Sequence, residues 1–232
     1  MFVDLHTHIL YNVDDGSKDL DFSLKMLEKQ VEEGVYHVVL TPHVQSKVQK
    51  ATRKEHIARL EELKNAVKEK GLPIHLTLGA EVQYRSHLTP DYKDYTFGNS
   101  NYLLVEFSTK EEQPIEEIVY DLSRMGFKVI IAHIERYAYL SLSDMEMIRR
   151  TGALIQVNTT SILGLDKAVK AKHVIKMIKL GLVDLISSDC HNLEARCPNM
   201  MTCYTFLKKH VEEDVLIKIF NENPKQIIDA IS

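Results

Sequence analysis

Histidine is frequent in this chain, at 11 of 232 residues, and several histidines follow short apolar segments. His6 and His8 stand two residues apart at the end of the first such segment. Residues two apart on an extended segment point to the same side, roughly 7 Å apart along the backbone, so both imidazoles can reach one metal ion. Asp189 and His191 repeat this spacing near the other end of the chain. Because His-x-His is common by chance, a metal site needs support from other segments.

Further imidazole and carboxylate side chains follow other apolar segments. They are His43, Glu81, Glu106 and His133. Asp15 lies in an Asp-Asp-Gly sequence, which by itself predicts only a turn. Imidazole and carboxylate together suit zinc, manganese or iron, and this many candidate ligands indicates more than one ion. Neighbouring ions can hold a phosphate ester and convert a bound water into a nucleophile near neutral pH, so these residue types indicate metal-assisted hydrolysis.

Segments rich in Val, Ile and Leu alternate with amphipathic segments along the whole chain. The predicted strands are residues 2–5, 38–41, 75–80, 102–107, 128–132, 154–157 and 185–187. The predicted helices are residues 20–33, 55–70, 115–125, 167–180 and 211–219, and a glycine suited to a left-handed cap follows the first four of them. This alternation predicts βαβ units with a parallel sheet, and the strand number favours a closed or distorted α/β barrel over an open sheet.

The ends of the predicted strands carry most of these candidate ligands. In parallel barrels, functional residues gather where strands end, because those ends open onto one face. Six of the seven predicted strands end within a few residues of His, Asp or Glu, and the remaining one ends at Asn158. Agreement among separate strand ends supports a shared metal site more strongly than any single motif does.

Length and charge limit the classes of protein to consider. A chain of 232 residues with 44% hydrophobic and 27% charged residues suits a single domain over residues 1–232. The net charge of −4 argues against nucleic-acid binding. A basic stretch with Lys47, Lys50, Arg53 and Lys54 is therefore interpreted as the solvated start of a helix.

Hydropathy and cysteine content predict the compartment. The apolar runs are too short to span a membrane, so we expect no membrane insertion. Asp4 and His6 stand where a signal peptide would need an apolar stretch. The three cysteines, Cys190, Cys197 and Cys203, are too few and too clustered for a disulfide framework. These features predict a cytoplasmic protein.

The order of these motifs resembles the PHP (polymerase and histidinol phosphatase) superfamily. More narrowly, it resembles the bacterial PHP-type protein tyrosine phosphatases associated with capsule and exopolysaccharide synthesis. The matching segments are DLHTH at 4–8, VDDG at 13–16, TPH at 41–43, GAE at 79–81, LVEF at 104–107, AHIERY at 132–137, QVN at 156–158 and SDCHN at 188–192. The HIERY segment, and the late Asp-x-His-Asn followed by Arg196, are specific to this branch. The resemblance implies a distorted seven-stranded TIM-like (β/α) barrel of the PHP type with a trinuclear metal site.

The resemblance also implies a role for each matching residue. One ion would be held by His6, His8, Glu81 and Asp189, a second by Glu81, Glu106 and His133, and a third by Asp15, His43 and His191. Arg136 and Arg196 would be catalytic and clamp the phosphoryl oxygens, since a planar guanidinium donates two hydrogen bonds at once. Two or three divalent ions are expected, from among manganese, iron, cobalt and zinc, with manganese favoured.

The implied function is hydrolysis of phosphotyrosine on a protein by attack of a metal-bound hydroxide. Tyrosine has a pKa of about 10 and is a better leaving group than an alkyl alcohol, so a strong general acid is less essential. By analogy, the partner is a tyrosine-phosphorylated protein, namely the tyrosine-rich tail of a bacterial tyrosine kinase that controls capsule or exopolysaccharide synthesis.

Three alternatives remain open. A PHP phosphatase for a small ester such as histidinol phosphate would use the same ligands. A non-catalytic PHP binding module should have lost ligands, whereas all the expected ones are present. Cys190 and Arg196 have the Cys-x5-Arg spacing of thiolate-dependent tyrosine phosphatases, but no glycine lies between them and Glu194 would repel a phosphate. We therefore assign no role to Cys190.

Overall fold

Strands and helices alternate along the chain in the computed structural model, which describes residues 1–88 and 90–231. The strands in these ranges are β1 (Phe2–Thr7), β2 (Val35–Leu40), β3 (His43–Val44), β4 (His75–Leu78), β5 (Glu81–Gln83), β6 (Tyr102–Glu106), β7 (Lys128–Ile131), β8 (Leu154–Asn158) and β9 (Leu185–Ser187). The helices are α1 (Leu20–Glu32), α2 (Arg53–Lys70), α3 (Ile115–Arg124), α4 (Leu142–Arg150), α5 (Thr159–Ile162), α6 (Ala171–Lys179), α7 (Met200–Leu207), α8 (Glu213–Ile217) and α9 (Asn223–Asp229). None of the helices in the described ranges combines the length and the apolar character needed to cross a bilayer.

The strands pair in parallel in two sheets. The first sheet has the order β1-β2-β4, and the second has the order β3-β5-β6-β7-β8-β9. An isolated parallel bridge joins Thr7 to Cys190, and the backbone N–H of Asp189 donates to the carbonyl of His6 at 2.9 Å, so the far edge of the second sheet lies beside β1. The result is an α/β fold with parallel sheets, and the strand pairings among the described residues do not form one closed barrel.

β2 and β4 each end at a break that is followed at once by a short strand. The predicted strand 38–41 corresponds to β2 and the predicted strand 75–80 to β4, whereas β3 and β5, which begin after the breaks, were not predicted. Pro42 lies in the first break and has no N–H to donate to a neighbouring strand. Gly79 lies in the second break, where a Cβ would collide with the ring of Phe97. A new strand begins after each break because the backbone changes neighbours: β2 and β4 pair in the first sheet, whereas β3 and β5 pair in the second.

The predicted helices agree with the structure where local signals are strong. α1, α2 and α3 lie within two residues of their predicted bounds. α2 begins at a capping box between Thr52 and Glu55, and it ends at Gly71, which has φ 67° as expected for a left-handed cap. The predicted helix 167–180 begins only at Ala171. The predicted helix 211–219 begins at Glu213 and continues through a π-helical segment, Lys218–Glu222, into α9. α4, α5, α7 and α9 were not predicted.

The apolar faces of these elements form the core that positions the strand ends. Leu103, Leu104 and Val105 of β6 are all buried, so both faces of the strand are covered, as expected for a parallel sheet. α3 buries Val119 and Leu122 in the same cluster of apolar side chains. Full burial of such a side chain contributes about 1.5–3 kcal/mol. The packed core therefore holds the carboxyl ends of the strands, and the polar side chains on them, in fixed relative positions.

Candidate metal centre

All nine side chains predicted as ligands lie near the carboxyl ends of strands or in the loops that follow. His6 lies in β1, His8 follows β1, and Asp15 lies in the next loop. His43 begins β3, Glu81 begins β5, and Glu106 ends β6. His133 follows β7, and Asp189 and His191 follow β9. Seven of the nine are buried; Asp15 and Glu106 are 43% and 17% exposed at their side chains. The structure therefore brings residues from across the sequence into one cluster with an open side.

The first group is formed by side chains from three separate strand ends. Nε2 of His6 and Nε2 of His8 are 3.3 Å apart. Each lies 3.3 Å from Oε2 of Glu81, and they lie 3.5 and 3.4 Å from Oδ1 of Asp189. Four ligand atoms thus face one another in the set that the resemblance implies for the first ion.

The second group is formed around Glu81. Nε2 of His133 lies 2.8 Å from Oε1 of Glu81 and 3.7 Å from Oε1 of Glu106. Because the other oxygen of Glu81 faces the first group, this carboxylate stands between the two sets, where the resemblance places a bridging ligand. His43 also belongs here, since its ligand atom lies within 4.8 Å of those of Glu81 and Glu106.

The third group is formed around Asp15. Oδ1 of Asp15 lies 3.6 Å from Nε2 of His43 and 3.5 Å from Nε2 of His191. His8 joins this group as well, with its ring centroid 3.9 Å from that of His191. His8 and His43 each lie at the junction of two groups, which the predicted sets did not include.

Unpartnered buried atoms test whether this cluster fits metal ions. Nδ1 of His43 and Oε2 of Glu81 lie 2.9 Å apart as an ion pair, but neither atom has a well-formed hydrogen bond among the described residues. Nε2 of His191 is likewise buried without a well-formed hydrogen bond in the described ranges, although Oδ1 of Asp15 lies 3.5 Å away. Buried polar atoms in proteins are nearly always hydrogen-bonded, so these atoms have the geometry expected of ligands directed at a cation. Imidazole and carboxylate donors suit a divalent transition metal.

Crowded carboxylates also favour a cation. Burial, and next the negative charge of Glu81, raise the pKa of Glu106 to about 7. Burial opposes ionisation of Glu81 and Asp189, but the neighbouring histidines hold both pKa values well below the ordinary range, with help at Asp189 from Arg196. A divalent cation would stabilise the ionised form of each carboxylate.

Gln156 contacts predicted ligands from two other strands. Its Oε1 accepts a hydrogen bond from the backbone N–H of His133 at 2.9 Å, which identifies this atom as the amide oxygen. The 3.2 Å contact from Nδ1 of His6 to the same oxygen must then be an N–H donation. Since Nδ1 of His6 carries the proton, its Nε2 lone pair is directed at the first group.

Two further polar side chains orient ligands. Nε2 of Gln156 donates to Oδ1 of Asn158 at 2.8 Å, and Nδ2 of Asn158 donates to Oδ2 of Asp189 at 2.7 Å. Nδ1 of His8 lies 2.8 Å from Oδ2 of Asp14, which directs Nε2 of His8 into the cluster. Sequence reasoning assigned no role to these three residues, although the spacing of two between Gln156 and Asn158 indicates that they share one face of β8.

The backbone is unusual at two of the predicted ligands. His133 has φ 32° and Asp189 has φ 50°, in the left-handed region that residues other than glycine seldom occupy. Such conformations persist only where the surroundings impose them, and they concentrate at functional sites. Here Gln156 holds the N–H of His133, and the carbonyl of His6 accepts from the N–H of Asp189.

The two predicted catalytic arginines lie beside the cluster. Nη1 of Arg136 and Nη2 of Arg196 are 3.3 and 2.6 Å from Oδ2 of Asp189. Nε of Arg136 also donates to Asp166 at 3.1 Å. The side chains are 24% and 32% exposed, so both guanidinium groups are accessible from solvent. Several N–H donors on each arginine are free for an anion, because a guanidinium carries five.

Cys190 lies in a different environment from these residues. It is fully buried, and Nε2 of Gln30 lies 3.6 Å from its Sγ. Burial, and next the charge of Asp4, raise the pKa of the Cys190 thiol well above its ordinary value. A nucleophilic cysteine needs a lowered pKa and access to substrate, so the thiolate alternative is disfavoured.

Comparisons with known proteins agree with this arrangement. A sequence model for capsular polysaccharide synthesis, CpsB/CapC, matches residues 2–229. The CapC protein of Staphylococcus aureus is 31% identical over 226 positions, covering 95% of this chain and 86% of that protein. The tyrosine-protein phosphatase CpsB of Streptococcus agalactiae is 26% identical over 238 positions, covering 97% of this chain and 98% of that protein.

A solved structure has the same fold over nearly the whole chain. It comes from work on two metal-dependent tyrosine phosphatases, YwqE from Bacillus subtilis and CpsB from Streptococcus pneumoniae. The match has a TM-score of 0.89 at 23% identity and covers 99% of this chain and 95% of that chain. Because the family model matches residues 2–229, the chain belongs to the CpsB/CapC family of capsular polysaccharide synthesis.

Proposed function

We propose that this chain is a metal-dependent phosphatase that hydrolyses phosphotyrosine on proteins. The observation that carries the proposal is the convergence of nine imidazole and carboxylate side chains, seven in close ligand groups and His133 and Asp189 in contact with them. Two accessible arginines contact Asp189 at the same site. The name of its relative CpsB, a tyrosine-protein phosphatase, supports the choice of phosphotyrosine as substrate.

The three groups of side chains are proposed to hold two or three divalent ions, with manganese as the proposed metal. The sets are those implied by the resemblance, with His8 and His43 each placed between two groups. Such ions polarise a phosphate ester and lower the pKa of a bound water towards 7. Gln156 and Asp14 accept the Nδ1 protons of His6 and His8, which directs the Nε2 lone pairs of the neutral rings at the proposed ions.

Arg136 and Arg196 are proposed to bind the phosphoryl oxygens. Their shared contact with Oδ2 of Asp189 holds both guanidinium groups next to the cluster, with further N–H donors free for the substrate. Fixed donors of this kind neutralise the charge that develops as the ester bond breaks. The leaving phenolate needs little help from a general acid. Cys190 takes no part in the proposed reaction, because its thiol is deeply buried and its pKa is raised.

The finer architecture is also part of the proposal. We propose a single domain over residues 1–232 that is a distorted (β/α)7 barrel. β2 with β3, and β4 with β5, each count as one interrupted strand, which leaves seven strands in the described residues. The bridge between Thr7 and Cys190 supports contact between the first and the last of them.

The proposed partner is a tyrosine-phosphorylated protein, such as the tyrosine-rich tail of a bacterial tyrosine kinase. The association of the family with capsular polysaccharide synthesis supports this choice. The proposal places the enzyme in the cytoplasm, where protein kinases have access to ATP.

The decisive experiment combines metal analysis with a panel of substrates. The purified protein should contain divalent metal, and it should hydrolyse a phosphotyrosine peptide much faster than a phosphoserine peptide or histidinol phosphate. A preference for histidinol phosphate would favour the small-ester alternative. A fully metallated protein without turnover of any of the three esters would favour a non-catalytic binding module.

A further inference from the structure

A groove with a volume of about 520 Å³ opens beside Glu106, at the edge of the metal centre. It is bounded by residues 46–47, 83–87 and 106–111 and by Gln113. Its volume is within the range of roughly 300–1,000 Å³ that is typical of ligand sites. There is therefore room for several side chains next to a group bound at the metal centre.

Hydrogen bonds connect this groove to the metal centre. Nε2 of Gln83 donates to Oε2 of Glu106 at 3.3 Å, while Oε1 of Glu106 faces His133. Nη2 of Arg85 donates to Oε1 of Gln83 at 2.8 Å. Arg85 is thus held two hydrogen bonds from a proposed metal ligand. Since an extended chain advances about 3.3 Å per residue, a peptide with its phosphotyrosine at the metal centre would place neighbouring residues in the groove.

The groove is basic although the chain as a whole is acidic. Lys47, Arg85 and Lys110 line it, together with His87, whereas Glu111 is its one acidic residue apart from Glu106. Neither Lys47 nor Lys110 forms an ion pair with any residue in the described parts of the chain, and both are exposed. The net charge of the whole chain is −4, so this concentration of positive charge is local. Unpaired positive charges along a groove attract negatively charged side chains.

We propose that this groove binds the residues next to the phosphotyrosine and selects substrates in which those residues are Asp or Glu. The proposal rests on the proposed phosphotyrosine phosphatase function, and it adds a preference that the metal centre alone does not explain. It also gives a role to Lys47, which from the sequence was interpreted only as part of a solvated helix start.

The test compares three phosphotyrosine peptides of equal length on the metal-loaded protein. Their flanking residues are Asp and Glu, Asn and Gln, or Lys. We expect kcat/KM for the acidic peptide to exceed that for the neutral peptide by roughly ten-fold at low salt, with the basic peptide slowest, because two or three partly exposed charge pairs form. The preference should shrink as the salt concentration rises.

Charge reversal assigns the preference to the groove. In the double variant Lys47→Glu/Lys110→Glu, the ratio of acidic to neutral turnover should fall below one, and the basic peptide should become the best of the three. Lys225→Glu makes the same charge change on exposed α9, outside the groove, and should keep the wild-type ratio. Phenyl phosphate, which has no flanking residues, measures the metal centre in each variant.

The outcomes separate this proposal from the proposed function. Equal turnover of the three peptides by the wild type overturns the groove proposal and leaves the phosphatase function in place. An acidic preference that survives in the double variant also overturns it, since the preference must then arise elsewhere. Failure to hydrolyse any phosphotyrosine peptide, with phenyl phosphate still hydrolysed, overturns both.

Discussion

Replacing Gln156 with leucine removes a side chain that holds ligands from two other strands. The change deletes the acceptor for His133 N–H at 2.9 Å and for His6 Nδ1–H at 3.2 Å, and the donor to Asn158 at 2.8 Å. Without an acceptor at Nδ1, the His6 imidazole can change tautomer, and the proton can then occupy the Nε2 position that faces Glu81 and Asp189. We expect weaker metal binding.

Two magnitudes follow from these contacts. Loss of a partner that orients a metal ligand typically lowers metal affinity by 10–100-fold, which corresponds to about 1.4–2.8 kcal/mol. The change also leaves three buried polar groups without partners, each at a cost of about 1–3 kcal/mol to stability. Since small proteins have a free energy of unfolding of roughly 5–15 kcal/mol, the Gln156→Leu protein must be shown to be folded before its metal affinity is interpreted.

The assay is competition with a chelator of known affinity, using protein first stripped of metal and checked by circular dichroism. Gln156→Glu keeps an acceptor for His6 and should retain more of the metal affinity than Gln156→Leu. Val157→Ala is the matched control, because its buried side chain belongs to the apolar core and its loss costs on the order of 2 kcal/mol without removing a ligand contact. A folded Gln156→Leu protein that binds metal within two-fold of the wild type refutes the reasoning.

Four further outcomes test the proposed site. Chelation should abolish phosphatase activity, and Mn²⁺, Co²⁺, Fe²⁺ or Zn²⁺ should restore part of it; full activity in protein verified as metal-free contradicts the metal mechanism. Arg136→Ala should lower kcat/KM by roughly two orders of magnitude with metal content intact, and Arg196→Ala should act in the same direction; wild-type rates in both variants exclude the clamp. Asp189→Ala should lose both metal and activity, so an active variant would show that Asp189 is not a ligand. Cys190→Ser should keep most of the activity, and a folded, metallated but inactive protein would instead indicate a thiol nucleophile.

Local patterns in the sequence determined which residues are candidate ligands and where most elements lie. The spacing of two in His6 and His8 decides that both side chains leave β1 on one side, because strand geometry alternates faces whatever the rest of the fold does. The C-terminal bounds of helices followed from glycine caps for the same reason, as Gly71 acts on its own helix. The capping box of Thr52 and Glu55 was not used, and α2 begins two residues before its predicted start. α4 was not predicted, although Ser141 and Asp144, which form its capping box, have the sequence spacing of such a box.

Other features depend on contacts between distant parts of the chain. Gln156 orients His6 across a separation of 150 residues, and no local pattern contains that distance. The placement of His8 and His43 between two groups depends on how the separate strand ends pack side by side. The same holds for the groove, since Lys47, Arg85 and Lys110 come from three different loops. The sequence thus determined the chemistry of the side chains, whereas only the packed strands decided which atoms face one another, because distances between elements are set by the core and not by local spacing.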